Sequence, residues 1–405
     1  MVKLGVVSSS PFLLKEGGAE RHVWEFLRRA RDHFQIELLP CLSALTQGDR
    51  EKVLSKLDVL EGEGFIVPEV VRDLFTRFRV SRKEVLLNYV SLALHERLAK
   101  ELRREVEGLD FLFAPNFMSP EVSMMGKPYG ILVNAYLAPL HMGPIRHSLW
   151  KARIGQEPLY LGLAKSVITS IYWERSLSVM RRSPPKFIAG VNRVALLDKL
   201  SSVPGEKILI EPGFAVEGLS FVEPEGKGDY GVYMAARLVP SKGLFDLLEV
   251  VKRMGGRNFR IVILGRLEEY QEEFLRRVDE YELRDVIVHV GYLDGRDKRE
   301  VISRAKVLIY PSHDDTNSIV VLESLSLGTP VVAYDIPGLR FVYEGLPNVE
   351  LVREFDYEGM ALRASEYLSG AKRFQLTPEL KRFLESHSSW DRVIQQEIEV
   401  LRKYT

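Results

Sequence analysis

Cysteine is almost absent from this chain: Cys41 is the sole thiol in 405 residues. One thiol excludes an intrachain disulfide and any cysteine-based zinc site, and it points to a reducing compartment. A charge bias is missing too. The 56 Lys and Arg balance 56 Asp and Glu, so no nucleic-acid partner or strongly acidic partner is expected, and any phosphate chemistry must come from local charge. The opening residues, MVKLGVVSSSPF, hold one lysine and a short apolar run that stops at serines. With no apolar run long enough for a signal sequence or a membrane span, a cytoplasmic protein is the expectation. Repeats of about 20 to 50 residues and low-complexity tracts are also missing, which argues against solenoids and disordered tails.

What is present is enough apolar chain for two cores. Hydrophobic residues make up 46% and charged residues 28%, the proportions of an ordinary soluble globular protein. KLGVVSS (3–9) reads as a strand, GGAERHVWEFLRRARDHF (17–34) as an amphipathic helix and IELLPCL (36–42) as a second strand. Residues 50–108 carry Leu, Arg and Glu at helical spacing, and strand-like runs return at FLFAPN (111–116), YGILVN (129–134), SVITS (166–170) and KILIEPG (207–213). FVEPEGKGD (221–229) gathers Pro, Gly and charge, the composition of a linker. Beyond it, GVYMAA (231–236), RIVILG (260–265), VIVHVG (286–291), KVLIYP (306–311) and TPVVAYD (329–335) alternate with helical patterns. Short continuous apolar strands with helical crossovers specify parallel sheets covered on both faces. The expected fold class is therefore α/β, two doubly wound Rossmann-like domains facing across a cleft. The expected boundaries are 1–218 and 219–385. The last segment, SWDRVIQQEIEVLRKY (389–404), is an amphipathic helix that either packs on its own domain or returns to the first.

In open parallel sheets ligands bind beyond the carboxyl ends of the strands, where loops and helix amino termini converge. Two such ends stand out. In ARLVPSKG (236–243), Arg237 follows a strand and Lys242 lies near the next helix, so a planar fork and a point charge flank one loop and can close on one anion. In HDDTNSIVVLESLSLGTPVV (313–332), Asp315, Thr316, Asn317 and Ser318 form a strand-to-helix turn, with Asn317 or Ser318 as cap and free amides as an anion site. Glu323 sits among Val320, Val321, Leu322 and Leu325. A carboxylate buried there needs a partner, either a pair of sugar hydroxyls or a structural cation.

Together, ARLVPSKG, ILGR, HVGYL and PSHDDTNSIVVLESLSLGTPVVAYDIPG resemble the donor-binding domain of retaining glycosyltransferases of family 4, which have the two-domain GT-B fold. The resemblance covers nearly all of 230–345 and, more loosely, the whole chain. It implies a nucleotide-diphosphate sugar as donor, with Asp315 contacting the sugar hydroxyls, Glu323 holding the ribose, and Arg237 and Lys242 stabilising the diphosphate. Tyr292 and Leu293, after Gly291, match the loop bordering the nucleobase; Gly265 and Arg266 match another turn beside the nucleotide. GGAERHV resembles the family's glycine-rich turn, where Gly17 and Gly18 let backbone approach the diphosphate and sugar. EPGF (211–214) resembles the loop closing the first domain, and SWDRV the start of a terminal helix, about 386–405, that returns to it. The chain departs from the family in carrying Asp315 for the first motif glutamate, and Thr316, Asn317 and Ser318 for the usual glycine-containing turn. Asn134, the last residue of YGILVN, stands where the family commonly has a histidine; His141 follows seven residues later.

The implied activity is sugar transfer to an acceptor hydroxyl with retention of anomeric configuration. A related disaccharide synthase or phosphorylase stays open, as does a sugar-nucleotide or glycan-binding subunit without turnover, which Asn134 keeps open. No well-spaced carboxylate or histidine cluster is visible, so no cofactor and a metal-independent reaction are expected. A dinucleotide oxidoreductase is set aside because no strand is followed by G-x-G-x-x-G. The acceptor, whether glycan, lipid-linked or small molecule, has no readable code. Phe12, Leu13, Leu14, Phe75 and Phe78, mixed with basic residues, fit either a peripheral membrane contact or ordinary helix core.

Overall fold

Parallel pairing follows from the connections, which place helices between successive strands and so cannot close as hairpins. The computed structural model describes residues 1–12, 18–46, 50–115, 119–134, 142–224, 226–254 and 258–405. It divides into a first unit, Met1–Ile145, Leu163–Phe214 and Trp390–Thr405, and a second, Arg146–Gly162 and Ala215–Ser389. The expected partition at 218/219 had no place for the excursion Arg146–Gly162. That segment joins the second unit because Trp150 Nε1 donates to Glu354 Oε1 at 3.1 Å and Arg153 stacks over Phe355 at 3.6 Å.

The first unit holds a six-stranded parallel sheet in the order β2-β1-β3-β4-β5-β6. Its strands are β1 (Lys3–Ser8), β2 (Gln35–Pro40), β3 (Phe111–Ala114), β4 (Tyr129–Val133), β5 (Phe187–Gly190) and β6 (Glu206–Leu209). The strands β3, β4 and β5 are buried along their whole length, which is why β3 and β4 read as continuous apolar runs; β5 went unread. SVITS is not a strand: it lies inside a helix of 24 residues, Leu159–Arg182. Its β-branched residues mimic a strand locally, but no proline or turn cluster bounds them, and length decides such ambiguous runs. Phe12 and Phe75 are buried with their rings 5.3 Å apart, and Phe78 is buried beneath Arg97. Those aromatics are helix core rather than membrane contacts; Leu13 and Leu14 lie outside the described residues.

The second unit repeats the plan in the order β12-β11-β10-β7-β8-β9. Its strands are β7 (Tyr230–Arg237), β8 (Arg260–Arg266), β9 (Ile287–Gly291), β10 (Leu308–Tyr310), β11 (Val331–Tyr334) and β12 (Val349–Val352). From β7 the order runs outward to β8 and β9, and from β10 the other way. The neighbours β7 and β10 therefore flank the topological switch point, where chains diverge and leave a crevice.

The final helix, Trp390–Tyr404, belongs to the first unit. Its inward carboxylate, Glu397, places Oε1 2.5 Å from Nε2 of His22 on the first helix (Gly18–Ala30), and both groups are buried. Trp390 meets the same imidazole edge-on at 5.0 Å, and Arg29 donates to Asp391 at 2.5 Å. Removing one partner of a buried pair leaves the other without compensation. Glu397→Ala is therefore expected to cost about 3 to 5 kcal/mol in urea unfolding. The double substitution with His22→Ala is expected to recover part of that; full additivity would mean the two groups are not coupled.

Candidate functional site

The loop after β7 and the loop after β10 meet across the switch point, backbone against backbone. After β7 a single turn, Pro240–Lys242, leads to Gly243 at φ +81, which opens the helix Leu244–Arg253. A Cβ on Gly243 would stand 2.0 Å from the Pro311 carbonyl oxygen just beyond β10. Only glycine accepts both the left-handed backbone and that approach. The amide of His313 then donates to the Ser241 carbonyl at 2.9 Å.

Side chains tie the same loops together. Lys242 Nζ donates to the Asp314 carbonyl and lies 3.1 Å from Asp315 Oδ2. The same carboxylate oxygen accepts from Tyr310 at 2.5 Å and from Ser312 at 2.9 Å. Beneath them, Tyr233 donates to the Lys242 carbonyl at 3.0 Å, and Tyr343 donates to the carbonyls of Asn317 and Ser318, each at 2.9 Å. The three phenols are buried, and burial first, then nearby carboxylates or phenols, holds their pKa well above the ordinary value. They therefore act as fixed donors and place the loop's oxygens. Burial pushes the Asp314 carboxyl above the usual range; Lys242 opposes that and Asp315 adds to it.

Three expectations change here. Ser318, expected as a candidate cap, makes no side-chain cap to the helix Ile319–Ser326. Its φ of +32 is left-handed, outside the extended backbone that a capping serine adopts, and Tyr343 secures the turn instead. Glu323 is not fully buried: it is about a quarter exposed, and its partner is a cation, Lys298, whose Nζ donates at 2.7 Å. Arg237 is the last residue of β7, not beyond it, and is exposed after a register shift in the strand. It makes no ion pair among the described residues.

Gly265, Tyr292, Leu293 and Glu323 do come together. With Lys298 and Ile319 they line a pocket of about 160 Å³ at the carboxyl ends of β7 and β8. Gly265 has φ +140, and a Cβ there would come 2.1 Å from the Ala235 carbonyl oxygen, so the strand ends close up only around glycine. Arg266 lies with its guanidinium 4.3 Å from the Tyr292 ring centre. Larger hollows of this unit lie beside Lys227, at the amino ends of the strands and away from these loops.

In the first unit, Asn134 follows β4 and donates to the Pro115 carbonyl at 3.3 Å. Gly18 opens the first helix and is exposed. Gly17 and His141 lie outside the described residues. Among the described residues no group of three or more His, Cys, Asp or Glu is placed to hold a metal ion.

Sequence reasoning missed two side chains. Lys298, on the helix Gly295–Arg304, is the partner of Glu323. His313 is buried next to Asp314, with Nδ1 2.6 Å from Glu354 Oε1 and Nε2 2.9 Å from Asp246 Oδ2. The second contact is an ion-pair distance without hydrogen-bond alignment. Burial lowers the His313 pKa, but the two carboxylates outweigh it and leave the imidazole above its usual 6.5. The only signal was a histidine standing between a strand end and an acid pair.

Residues 217–373 match the protein family described as glycosyl transferases group 1. A processive diacylglycerol alpha-glucosyltransferase from Acholeplasma laidlawii is 34% identical over 117 residues, 29% of this chain and 33% of that protein. An uncharacterized glycosyltransferase from Methanocaldococcus jannaschii is 24% identical over 42% of this chain and 44% of its own. The matches thus span between a third and a half of these relatives. The structure of Anabaena HepE in complex with UDP superposes with a TM-score of 0.68 at 14% identity, over 99% of this chain and 100% of that one. The lipopolysaccharide outer core galactosyltransferase WaaB, in its apo form, gives 0.65 at 12% identity, over 99% and 100%. These likenesses show the GT-B fold.

The His313 cluster makes a pH-dependent contribution to stability. Its folded pKa is raised, so the contribution is complete below the unfolded value and is lost as pH rises through the folded one. The melting temperature of wild type should exceed that of His313→Gln most near about pH 6, with the gap narrowing toward about pH 9. A gap independent of pH would mean that His313 contributes packing alone.

Proposed function

We propose that this chain, which carries a group 1 glycosyl transferase domain at residues 217–373 and has the GT-B fold, moves a sugar from a nucleotide-diphosphate sugar to an acceptor hydroxyl with retention of configuration. The observation that carries the reading is the pairing of Lys242 with Asp315 across the switch point, beside the pocket that holds Glu323. The two charges are set at the place where a doubly wound sheet binds its ligand.

The donor enters with its base against Tyr292 and Leu293 and its ribose hydroxyls on Glu323, where they take the position now held by Lys298. The diphosphate meets Lys242 and Arg237, together with the amides of Thr316, Asn317 and Ser318. Asp315, released from Lys242, accepts from the sugar hydroxyls. Breaking the anomeric bond builds negative charge on the departing diphosphate, and cations fixed before the reaction lower that barrier without reorganising. The acceptor proton passes to the departing phosphate on the same face of the sugar, which accounts for retention and needs no side chain as base. We assign the acceptor, a glycan, a lipid-linked or a small hydroxyl compound, to the first unit, where Asn134 follows β4. The reaction is expected to need no resident metal, in a cytoplasmic protein.

Thermal-shift titration with UDP, GDP, ADP and TDP tests this on wild type, Lys242→Ala and Glu323→Ala. UDP comes first, because the Anabaena neighbour was solved with it. Each substitution is expected to lose about 1.5 to 3 kcal/mol of binding, or about one to two decades in affinity. No stabilisation of wild type by any of the four would overturn the donor reading. Binding without turnover of the matching sugar nucleotides would leave a non-catalytic subunit, the reading that Asn134 keeps open.

A further inference from the structure

A bulky residue seldom adopts a left-handed backbone, and where one does, its surroundings must hold it there. Phe355, just past β12, stands at φ +67. The Arg153 guanidinium lies 3.6 Å from the centre of its ring, and the His313 ring lies 4.8 Å away. The residue before it, Glu354, receives two donors on a single oxygen: Trp150 Nε1 at 3.1 Å and His313 Nδ1 at 2.6 Å. A carboxylate only accepts, so both nitrogens donate. His147 stacks on the Trp150 indole at 5.7 Å and fixes its plane. Further along, Gly155 comes so near Phe245 that an added Cβ would stand 3.4 Å from that ring. The segment Arg146–Gly162 thus meets the second unit at two places, beyond β12 and at the start of the helix that follows Lys242.

Both places bear on Lys242. The His313 amide donates to the Ser241 carbonyl at 2.9 Å, and its Nε2 lies 2.9 Å from Asp246 Oδ2. Backbone and ring therefore hold the loop after β7 on either side of Lys242, whose Nζ in turn donates to the Asp314 carbonyl. His313 can hold that loop only while its own ring is held, and Glu354 holds it from the far side. We propose that Trp150 is a positioning residue for the Lys242 site: by sharing Glu354 with His313, it sets where the lysine stands. A carboxylate fixed by donors from two segments has less freedom than one held by either alone. If the segment only packed, the contact with Phe355 would suffice. The N–H and the carboxylate would then be a cost, because each is taken partly out of water. This deepens the glycosyltransferase reading, on which only the identity of the anion, a nucleoside diphosphate, rests.

Hydrogen exchange on the full chain without ligand, compared between wild type, Trp150→Phe and Glu354→Gln, tests the positioning. Phenylalanine keeps a ring and loses the N–H; glutamine keeps the shape and loses the charge. Both are expected to speed exchange about threefold to tenfold in residues 311–318 and 240–246, with the amides of β8 and β11 unchanged. Faster exchange confined to the helix Pro144–Arg153 and residues 354–356 overturns the proposal and leaves Trp150 a packing residue. Where Trp150→Phe does not fold, Glu354→Gln is read in its stead. Titration with UDP adds a second readout. Each substitution should weaken binding about threefold to tenfold, and the double variant should bind no more weakly than Glu354→Gln, since the indole acts through that carboxylate. Additive losses, or UDP affinity unchanged in both single variants, overturn the proposal. A wild type that binds neither UDP nor GDP, ADP or TDP counts against the glycosyltransferase reading, and the exchange comparison still decides the positioning.

Discussion

The ion pair between Lys242 and Asp315 is the constraint on which the rest of the second unit's site depends. It joins the loops beyond β7 and β10, the strands where the sheet changes direction. Everything around it fixes where those charges stand. Gly243 lets the two backbones touch, Tyr310 and Ser312 orient the carboxylate, and Tyr233 and Tyr343 hold the carbonyls on either side. A partly exposed pair of this kind adds little to stability. Its effect is positional: the ammonium and the carboxylate are placed before any ligand arrives, and an anion that enters must compete with Asp315 for Lys242.

The same logic extends outward. Glu323 is paired with Lys298 as Asp315 is with Lys242, so each of these carboxylates stands opposite a lysine. Behind the loop, His313 sits between Asp246 and Glu354, and Glu354 also receives Trp150. The residue next to Asp314 is thereby tied to the segment Arg146–Gly162, which the second unit takes from the middle of the first unit's chain. The first unit uses a comparable device at His22 and Glu397 to keep the final helix in place.

How much of this was legible follows from where the partners lie in the sequence. Lys242 and Asp315 could be found because each stands just past an apolar run, and strand ends carry function in parallel sheets. Lys298 and His313 could not, because their partners lie 25 and 41 residues away and only the fold brings them together. Strands β5 and β12 went unread, while the β-branched SVITS imitated a strand inside a long helix. Phe12, Phe75 and Phe78 fitted either a membrane contact or core in sequence, and they are core.

The claim that Asp315 and an incoming diphosphate compete for Lys242 is tested most directly by the affinity of Asp315→Asn for the preferred nucleoside diphosphate. Asparagine keeps the shape and a hydrogen-bonding oxygen but removes the charge that holds Lys242. The account predicts tighter binding of the diphosphate than in wild type, by about threefold to tenfold, together with a loss of sugar transfer. Weaker binding, of the size expected for removing Lys242 itself, would contradict it and make Asp315 a support for the lysine rather than its competitor.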